Sequence, residues 1–130
     1  INQQLSEFCK NLTKIKQEDI DSADNISDVL IDFYNWSENS ILVSWGGYDI
    51  RQISRDVIRQ DITNIVDIND MKKRHTNFKR KYSKIKKIKK QLGVRGALNM
   101  EGLKFIGTPH RGIDDSINIS RIFIKYLDRF

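Results

Sequence analysis

The feature of the sequence that most constrains the fold is a short apolar segment, 41–45, which ends at two glycines and is followed by a helical pattern. The order Ile-Leu-Val-Ser-Trp in this segment is typical of a buried strand, and a second run at 65–68, Ile-Val-Asp-Ile, has the same character. Between them Ile50, Ile53 and Val57 recur at helical spacing. Because a strand, a helix and a strand in this order favour a parallel pair, we predict two parallel strands joined by a crossover helix.

The remaining apolar patterns are helical. Their spacing predicts helices over 5–12, 26–36 and 112–127, and a shorter one at 97–103. The segment 71–85 has the same spacing, so we predict one basic helix there with a single apolar seam. Parallel strands normally lie inside larger sheets, and two short ones are unstable alone. We therefore expect an α/β fold whose first strands are missing from this chain.

The composition excludes several classes of protein. No apolar run approaches the roughly 20 residues that cross a bilayer, so we expect no membrane association. One cysteine and two histidines cannot form an internal disulfide or a four-ligand structural zinc site, which favours a reducing, cytoplasmic location. The length of 130 residues suits one compact domain, which we expect to span 1–130 and to be incomplete at its N-terminus.

Positive charge is concentrated in one part of the chain. The net charge is +6, yet residues 72–90 hold eleven lysines and arginines and no acid, which leaves 12 basic and 17 acidic groups elsewhere. Such a run indicates a nucleic-acid partner about as well as it indicates a solvated helix face. Lys73, Lys84 and Lys87 avoid the apolar seam, and we expect them to contact a nucleic-acid backbone. An alternative surface is the polar face of the crossover helix, which carries Arg51, Arg55 and Arg59.

Three aspartates lie where helices are predicted to begin. Asp49 follows the first strand, where ligands collect in α/β folds, although capping of the next helix explains Asp49 at least as well. At 100° per residue, Asp114 falls on a polar row of the last helix and Asp115 on the apolar row of Ile122. We therefore expect Asp114 to face solvent and Asp115 to face the protein, where a carboxylate needs a cation or hydrogen bonds. His110, five residues before Asp115, would lie beside whatever that carboxylate holds.

Three segments carry a resemblance to a known family. The segment 110–122, His-Arg-Gly-Ile-Asp-Asp-Ser-Ile-Asn-Ile-Ser-Arg-Ile, resembles the third motif of the DEDDh (DnaQ-like) 3′-to-5′ exonucleases. The segment 44–49, Ser-Trp-Gly-Gly-Tyr-Asp, resembles their second motif, and 5–15 resembles the stretch between the first and second motifs. Together they are similar to the Eri-type branch, which includes histone-mRNA 3′ exonucleases and bacterial sporulation-inhibitor exonuclease-like proteins.

The resemblance implies an RNase H-like exonuclease fold, which is a mixed sheet with flanking helices. In this fold four carboxylates hold two divalent ions, Mg²⁺ or Mn²⁺, for two-metal hydrolysis of phosphodiester bonds. Asp49 and Asp115 match the metal ligands of the second and third motifs. His110 matches the general base that deprotonates the attacking water, and its neighbour Arg111 is an expected contact to nucleic acid. The function implied is 3′-to-5′ exonuclease activity on RNA or on single-stranded DNA.

The first motif of that family, Asp-X-Glu, does not occur in the sequence. No aspartate stands two positions before any of the four glutamates, Glu7, Glu18, Glu38 and Glu101. We therefore expect this chain to be the C-terminal portion of a longer catalytic domain, inactive alone, because two carboxylates cannot hold two ions. One alternative is a non-catalytic nucleic-acid-binding or regulatory module of the same fold. Another is a protein-interaction domain that docks through the seam of Met71, Phe78 and Tyr82.

Overall fold

The computed structural model describes residues 4–129, which form a helix-rich α/β fold with a small parallel sheet. The helices are α1 (Glu7–Thr13), α2 (Gln17–Asp21), α3 (Ile26–Trp36), α4 (Tyr48–Arg59), α5 (Ile68–Arg74), α6 (Phe78–Ile85), α7 (Val94–Met100) and α8 (Gly112–Phe123), and a 3₁₀ helix follows over Ile124–Arg129. The strands are β1 (Leu42–Ser44) and β2 (His75–Asn77). The chain divides into two compact units, one comprising Asp24–Gln91 and the other the described residues on either side of it.

The predicted first strand and crossover helix are confirmed as β1 and α4, but the predicted partner strand at 65–68 is wrong. Val66 is buried as expected, yet it lies in a turn, and its N–H donates to the carbonyl of Ile62. The Asp67 side chain then accepts the N–H groups of Asn69 and Asp70 and begins α5. Val66 is therefore buried here without belonging to a strand, because Asp67 is a helix cap, and Ile65 is exposed.

The strand that pairs with β1 lies inside the predicted basic helix. β2 runs parallel to β1, with Val43 opposite Thr76, and it separates α5 from α6. The prediction of one helix over 71–85 is therefore wrong, because pairing with β1 overrides the helical pattern and the Asn77 side chain, accepting the N–H of Arg80, starts a new helix.

The seam residues are nevertheless buried. Met71, Phe78 and Tyr82 are each at most 1% exposed. The Trp45 ring lies 5.4 Å from the Phe78 ring and 5.6 Å from the Tyr82 ring, centre to centre. These contacts hold the chain at the end of β1 against α6. Because the seam packs inside its own unit, the idea that it docks another protein is wrong.

The unit of residues 24–91 has its core where α3, α4 and α5 meet. Its buried apolar residues are Leu30, Ile50, Val57, Ile62, Val66 and Met71. Burying each such side chain contributes about 1.5–3 kcal/mol relative to exposure. The arginines of α4 lie on its opposite, exposed face, as the pattern predicts.

In the other unit, α7 contacts α8, and the buried apolar residues of these helices are Ala97, Leu98 and Ile122. The predicted last helix is confirmed as far as Phe123, after which the backbone tightens to a 3₁₀ helix. Within residues 4–129, none of the helices has the length and apolar character needed to cross a bilayer.

Candidate active site

Asp49 lies in the first turn of α4, directly after β1. The chain turns at Gly46, whose φ of +135° suits glycine, and Gly47 is the N-cap of α4 without a side-chain hydrogen bond. Asp49 is exposed, and its carboxylate accepts no hydrogen bond from the residues that the structure describes. The interpretation of Asp49 as a cap is therefore wrong, although the helix dipole favours a carboxylate in this turn.

His75 fixes the end of β1 beside Asp49. Its Nε2 lies 2.7 Å from Ser44 Oγ, which itself donates to the Gly46 carbonyl at 2.8 Å. Because the hydroxyl has only one hydrogen, the Nε2–H of His75 donates to Ser44 Oγ. Burial lowers the pKa of His75, and the negative charge of Asp49 partly opposes that effect. The surroundings of His75 therefore favour its neutral form.

The predicted third motif begins in a β-turn that leads into α8. The N–H of Arg111 donates to the carbonyl of Thr108 at 3.3 Å, which closes a turn over residues 108–111. Pro109 is the second residue of this turn, and His110 is the third, with a φ of +65°. His110 and Arg111 are both exposed. The imidazole is thus presented at the surface two residues before α8 begins.

Asp114 and Asp115 share the first turn of α8 but differ in their partners. The N–H of Thr108 donates to Asp114 Oδ2 at 2.8 Å, and Asp114 is half-buried. The expectation that Asp114 faces solvent is therefore wrong. The helical spacing assigned Asp114 to the right row, but the loop that precedes α8 covers that row, which includes the fully buried Asn118. Asp115 is half-buried on the row of Ile122, as expected.

The Asp115 carboxylate has the chemistry of a ligand for a hard cation. It accepts no hydrogen bond and forms no ion pair with another described residue, so the dipole of α8 is the favourable interaction that its place in the first turn provides. Carboxylate oxygens are the ligands that Mg²⁺ prefers, and Asp49 offers the same donor in the other unit. Residues 4–129 contain no cluster of three or more His, Cys, Asp and Glu that could hold a metal ion. Asp49 and Asp115 are therefore candidate ligands only, each with the oxygen donors that such a cation prefers.

The three predicted lysine contacts lie on different elements. Lys73 is in the last turn of α5, Lys84 is in α6, and Lys87 follows α6 with a φ of +54°. All three are exposed, and none forms an ion pair with a described residue. The positive charge is thus accessible to a ligand, although it does not lie along one helix as the sequence suggested.

Asn118 is the residue of this region that the sequence reasoning missed. It was assigned to the solvent row of α8, yet it is 0% exposed. Its side chain accepts the N–H of Ile106 at 3.0 Å and donates to the Ile106 carbonyl at 2.7 Å. One signal was present, since asparagine is a weak helix former and its occurrence in the middle of a helix needs a reason.

A comparison with protein families identifies the chain. A family model described as Exonuclease, RNase T, matches residues 1–123. The chain belongs to this exonuclease family. The matched residues include 44–49 and 110–122, the two segments that resemble DEDDh motifs. The relatives and solved structures that the chain matches confirm this resemblance.

The relatives that the chain matches are named as 3′-5′ exoribonucleases or exonucleases. The chain is 31% identical, over 98% of its length, to the 3′-5′ exoribonuclease 1 of Rattus norvegicus, and 30% identical to that of Homo sapiens. It is 28% identical to the 3′-5′ exonuclease eri1 of Schizosaccharomyces pombe. The chain spans 39% of the rat protein, 38% of the human protein and 50% of the yeast protein.

Solved structures confirm the fold. The chain superimposes on the nuclease domain of 3′hExo, described as a DEDDh family member bound to rAMP, with a TM-score of 0.81 and 29% identity. That match covers 99% of this chain and 68% of the other. A 3′-exonuclease that recognises the 3′ end of the histone mRNA stem-loop matches with a TM-score of 0.72 and 28% identity, over 60% of its chain. The RNase H-like exonuclease fold is therefore confirmed.

Proposed function

We propose that the complete gene product containing these 130 residues is a metal-dependent 3′-to-5′ exonuclease that acts on RNA. The observation that carries the proposal is the start of α8, where the half-buried carboxylate of Asp115 has no hydrogen bond from a described residue and follows the exposed His110 by five positions. Membership of the exonuclease family and the exoribonuclease names of the relatives support it.

In this proposal Asp49 and Asp115 are metal ligands and His110 is the general base. Two bound Mg²⁺ or Mn²⁺ ions would stabilise the attacking and leaving oxygens of the phosphodiester. His110 accepts the proton of the attacking water at an imidazole nitrogen, a step for which histidine is suited near neutral pH. Asp49 and His110 are exposed, so both side chains are accessible to a nucleic-acid strand.

In the same proposal the nucleic-acid strand is bound by four basic residues, Lys73, Lys84, Lys87 and Arg111. All four are exposed and form no ion pair with a described residue, so they are available for phosphate oxygens. We favour RNA over DNA as the substrate because the rat and human relatives are named exoribonucleases and the 3′-exonuclease of one matched structure recognises a histone mRNA stem-loop. A protein distinguishes the two through the 2′-hydroxyl.

Two carboxylates do not complete a site for two ions, and the sequence contains no Asp-X-Glu. We propose that residues 1–130 belong to one catalytic domain whose other two carboxylates come from outside this sequence. A cytoplasmic location, expected from the single cysteine, is part of the same proposal.

The test is degradation of a 5′-labelled single-stranded RNA by the complete gene product in Mg²⁺, with the matched DNA and an EDTA reaction as controls. The proposal predicts products shortened one nucleotide at a time from the 3′ end, on RNA more than on DNA, and none in EDTA. Tight binding without degradation in either Mg²⁺ or Mn²⁺ would instead identify a non-catalytic nucleic-acid-binding module.

A further inference from the structure

We infer that Asn118 and Asp114 are positioning residues that fix His110 relative to Asp115. The inference rests on the proposed function, because it takes His110 as the base, but it adds two residues to which that proposal gives no role. Both act on the loop of residues 104–111, which leads into α8.

Asn118 ties the middle of this loop to α8. Its Nδ2 donates to the carbonyl of Ile106, its Oδ1 accepts the N–H of the same residue, and the side chain is completely buried. The second Nδ2 hydrogen goes to the carbonyl of Asp114 at 2.7 Å, and Oδ1 also accepts from Arg121 Nη1 at 2.9 Å. All four hydrogen-bonding positions of the amide are therefore used. Two bonds to one peptide fix its orientation as well as its distance from the helix.

Asp114 ties the next part of the loop to the first turn of α8. Its Oδ2 accepts the N–H of Thr108 at 2.8 Å. Gly107 permits this contact, because a Cβ on Gly107 would lie 2.5 Å from Asp114 Cγ, and its φ of +84° suits glycine. The carboxylate and the loop backbone are thus in direct contact, which only a residue without a side chain allows.

His110 lies in the short turn between two fixed ends. Thr108, at the start, is bound by Asp114, and the carbonyl of Arg111, at the end, accepts the N–H groups of Asp114 and Asp115 at 2.8 and 3.0 Å. The left-handed conformation of His110 is unfavourable for a residue with a Cβ and persists where surrounding contacts impose it. The position of the imidazole is therefore imposed by the contacts to α8, the helix that carries Asp115.

Placement of a general base controls rate, because the base must lie within hydrogen-bond reach of the proton it accepts. The contact to Thr108 requires an acceptor oxygen at position 114 but no charge. Asp114→Asn keeps an acceptor and Asp114→Ala removes it, so this pair separates positioning from an electrostatic role. Ser116→Ala, at an exposed position of the same helix, is the matched control.

The experiment measures kcat and KM of the complete gene product on 5′-labelled single-stranded RNA in Mg²⁺, for these variants in the wild-type and His110→Ala backgrounds. Asp114→Ala should lower kcat by roughly 10–100-fold, the cost of a displacement of about 1 Å, with little change in KM. Asp114→Asn and Ser116→Ala should stay within about threefold of wild type. In the His110→Ala background, Asp114→Ala should have no further effect, because it acts through His110.

Amide hydrogen exchange at Thr108 provides a readout that does not depend on activity. It should be faster in Asp114→Ala and unchanged in Asp114→Asn. The inference is overturned if the Asn variant is as slow as the Ala variant, if Asp114→Ala slows the His110→Ala enzyme equally, or if exchange rises while kcat is unchanged. In those cases His110→Ala is still impaired, and only the inference fails. Full activity of His110→Ala would remove both the proposed base and the inference.

Discussion

Ser44 and His75 are joined across the two parallel strands by a hydrogen bond of 2.7 Å from the imidazole Nε2–H to the hydroxyl oxygen. The bond ties the residue that ends β1 to the residue that begins β2. Ser44 stands four positions before Tyr48, where α4 begins, and Asp49 lies in the first turn of that helix. Since burial lowers the pKa of His75, protonation of this imidazole is coupled to the stability of the folded chain.

The coupling predicts how stability depends on pH. The pKa of His75 is lower in the folded chain than in the unfolded one, so the unfolded chain binds more protons once the pH falls below about 6.5. Stability should be fully present above that pH and decrease as the pH falls towards the folded pKa. Urea unfolding in EDTA between pH 7.5 and 5 should show a smaller decrease for His75→Gln. The comparison with wild type isolates the contribution of His75, because all other ionisable groups are the same in both proteins. An equal loss of stability in wild type and His75→Gln would contradict the assignment of this pH dependence to His75.

Gly107→Ala should destabilise the protein. A Cβ there meets the Asp114 carboxylate, and the φ of +84° is unfavourable for alanine, so we expect a loss of about 1–2 kcal/mol in the free energy of unfolding. Gly112→Ala is the matched control, because its Cβ would meet nothing within 4 Å and Gly112 begins α8. The control should be neutral or stabilising by up to about 1 kcal/mol. Equal effects of both changes in urea unfolding would show that Gly107 is not in contact with Asp114.

The three lysines that we propose to contact RNA phosphates should determine how strongly RNA affinity depends on salt. Each phosphate contact contributes about −0.7 to the slope of log K against log salt for single strands, so changing Lys73, Lys84 and Lys87 to Gln should reduce the slope by about 2. The control removes the same charge at Lys10, Lys14 and Lys16, in and near α1. Affinity is measured for the complete gene product with 5′-labelled RNA in EDTA. An unchanged slope would indicate that the strand binds elsewhere, for example along Arg51, Arg55 and Arg59.

The 130-residue chain alone should bind single-stranded RNA without degrading it. Its two candidate carboxylates cannot hold two ions in the geometry that hydrolysis needs. The assay is Mg²⁺-dependent shortening of a 5′-labelled RNA, with the complete gene product as the positive control. Degradation by the purified chain, abolished by Asp115→Asn, would contradict the proposal that the other ligands lie outside this sequence.

The sequence predicted those elements whose signals are local. The strand β1 and the helix α4 follow from a short apolar run, a pair of glycines and a regular apolar spacing. β2 was missed because its residues, His75, Thr76 and Asn77, have no apolar pattern and are a strand only through pairing with β1. Conversely, the apolar run at 65–68 buries Val66 but forms no strand, since Asp67 begins a helix at that point.

In the candidate site too, local features could be predicted from the sequence and contacts with other segments could not. His110 and Asp115 could be predicted as site residues because the motif that contains them is contiguous in the chain. The environment of Asp114 was mistaken, since a helical projection treats each row as open and contains no information about a preceding loop. That loop covers Asp114 and Asn118 through backbone groups, which have no sequence pattern of their own.

The most direct test of the central claim is the rate at which the complete gene product shortens a 5′-labelled single-stranded RNA in Mg²⁺, for wild type, Asp49→Asn, Asp115→Asn and His110→Ala. Both Asn variants should lose metal-dependent cleavage while keeping the unfolding midpoint of wild type. His110→Ala should slow the rate by roughly 10²–10⁴-fold, the usual contribution of a general base. Wild-type rates in both Asn variants would contradict the assignment of Asp49 and Asp115 as the metal ligands of an exonuclease.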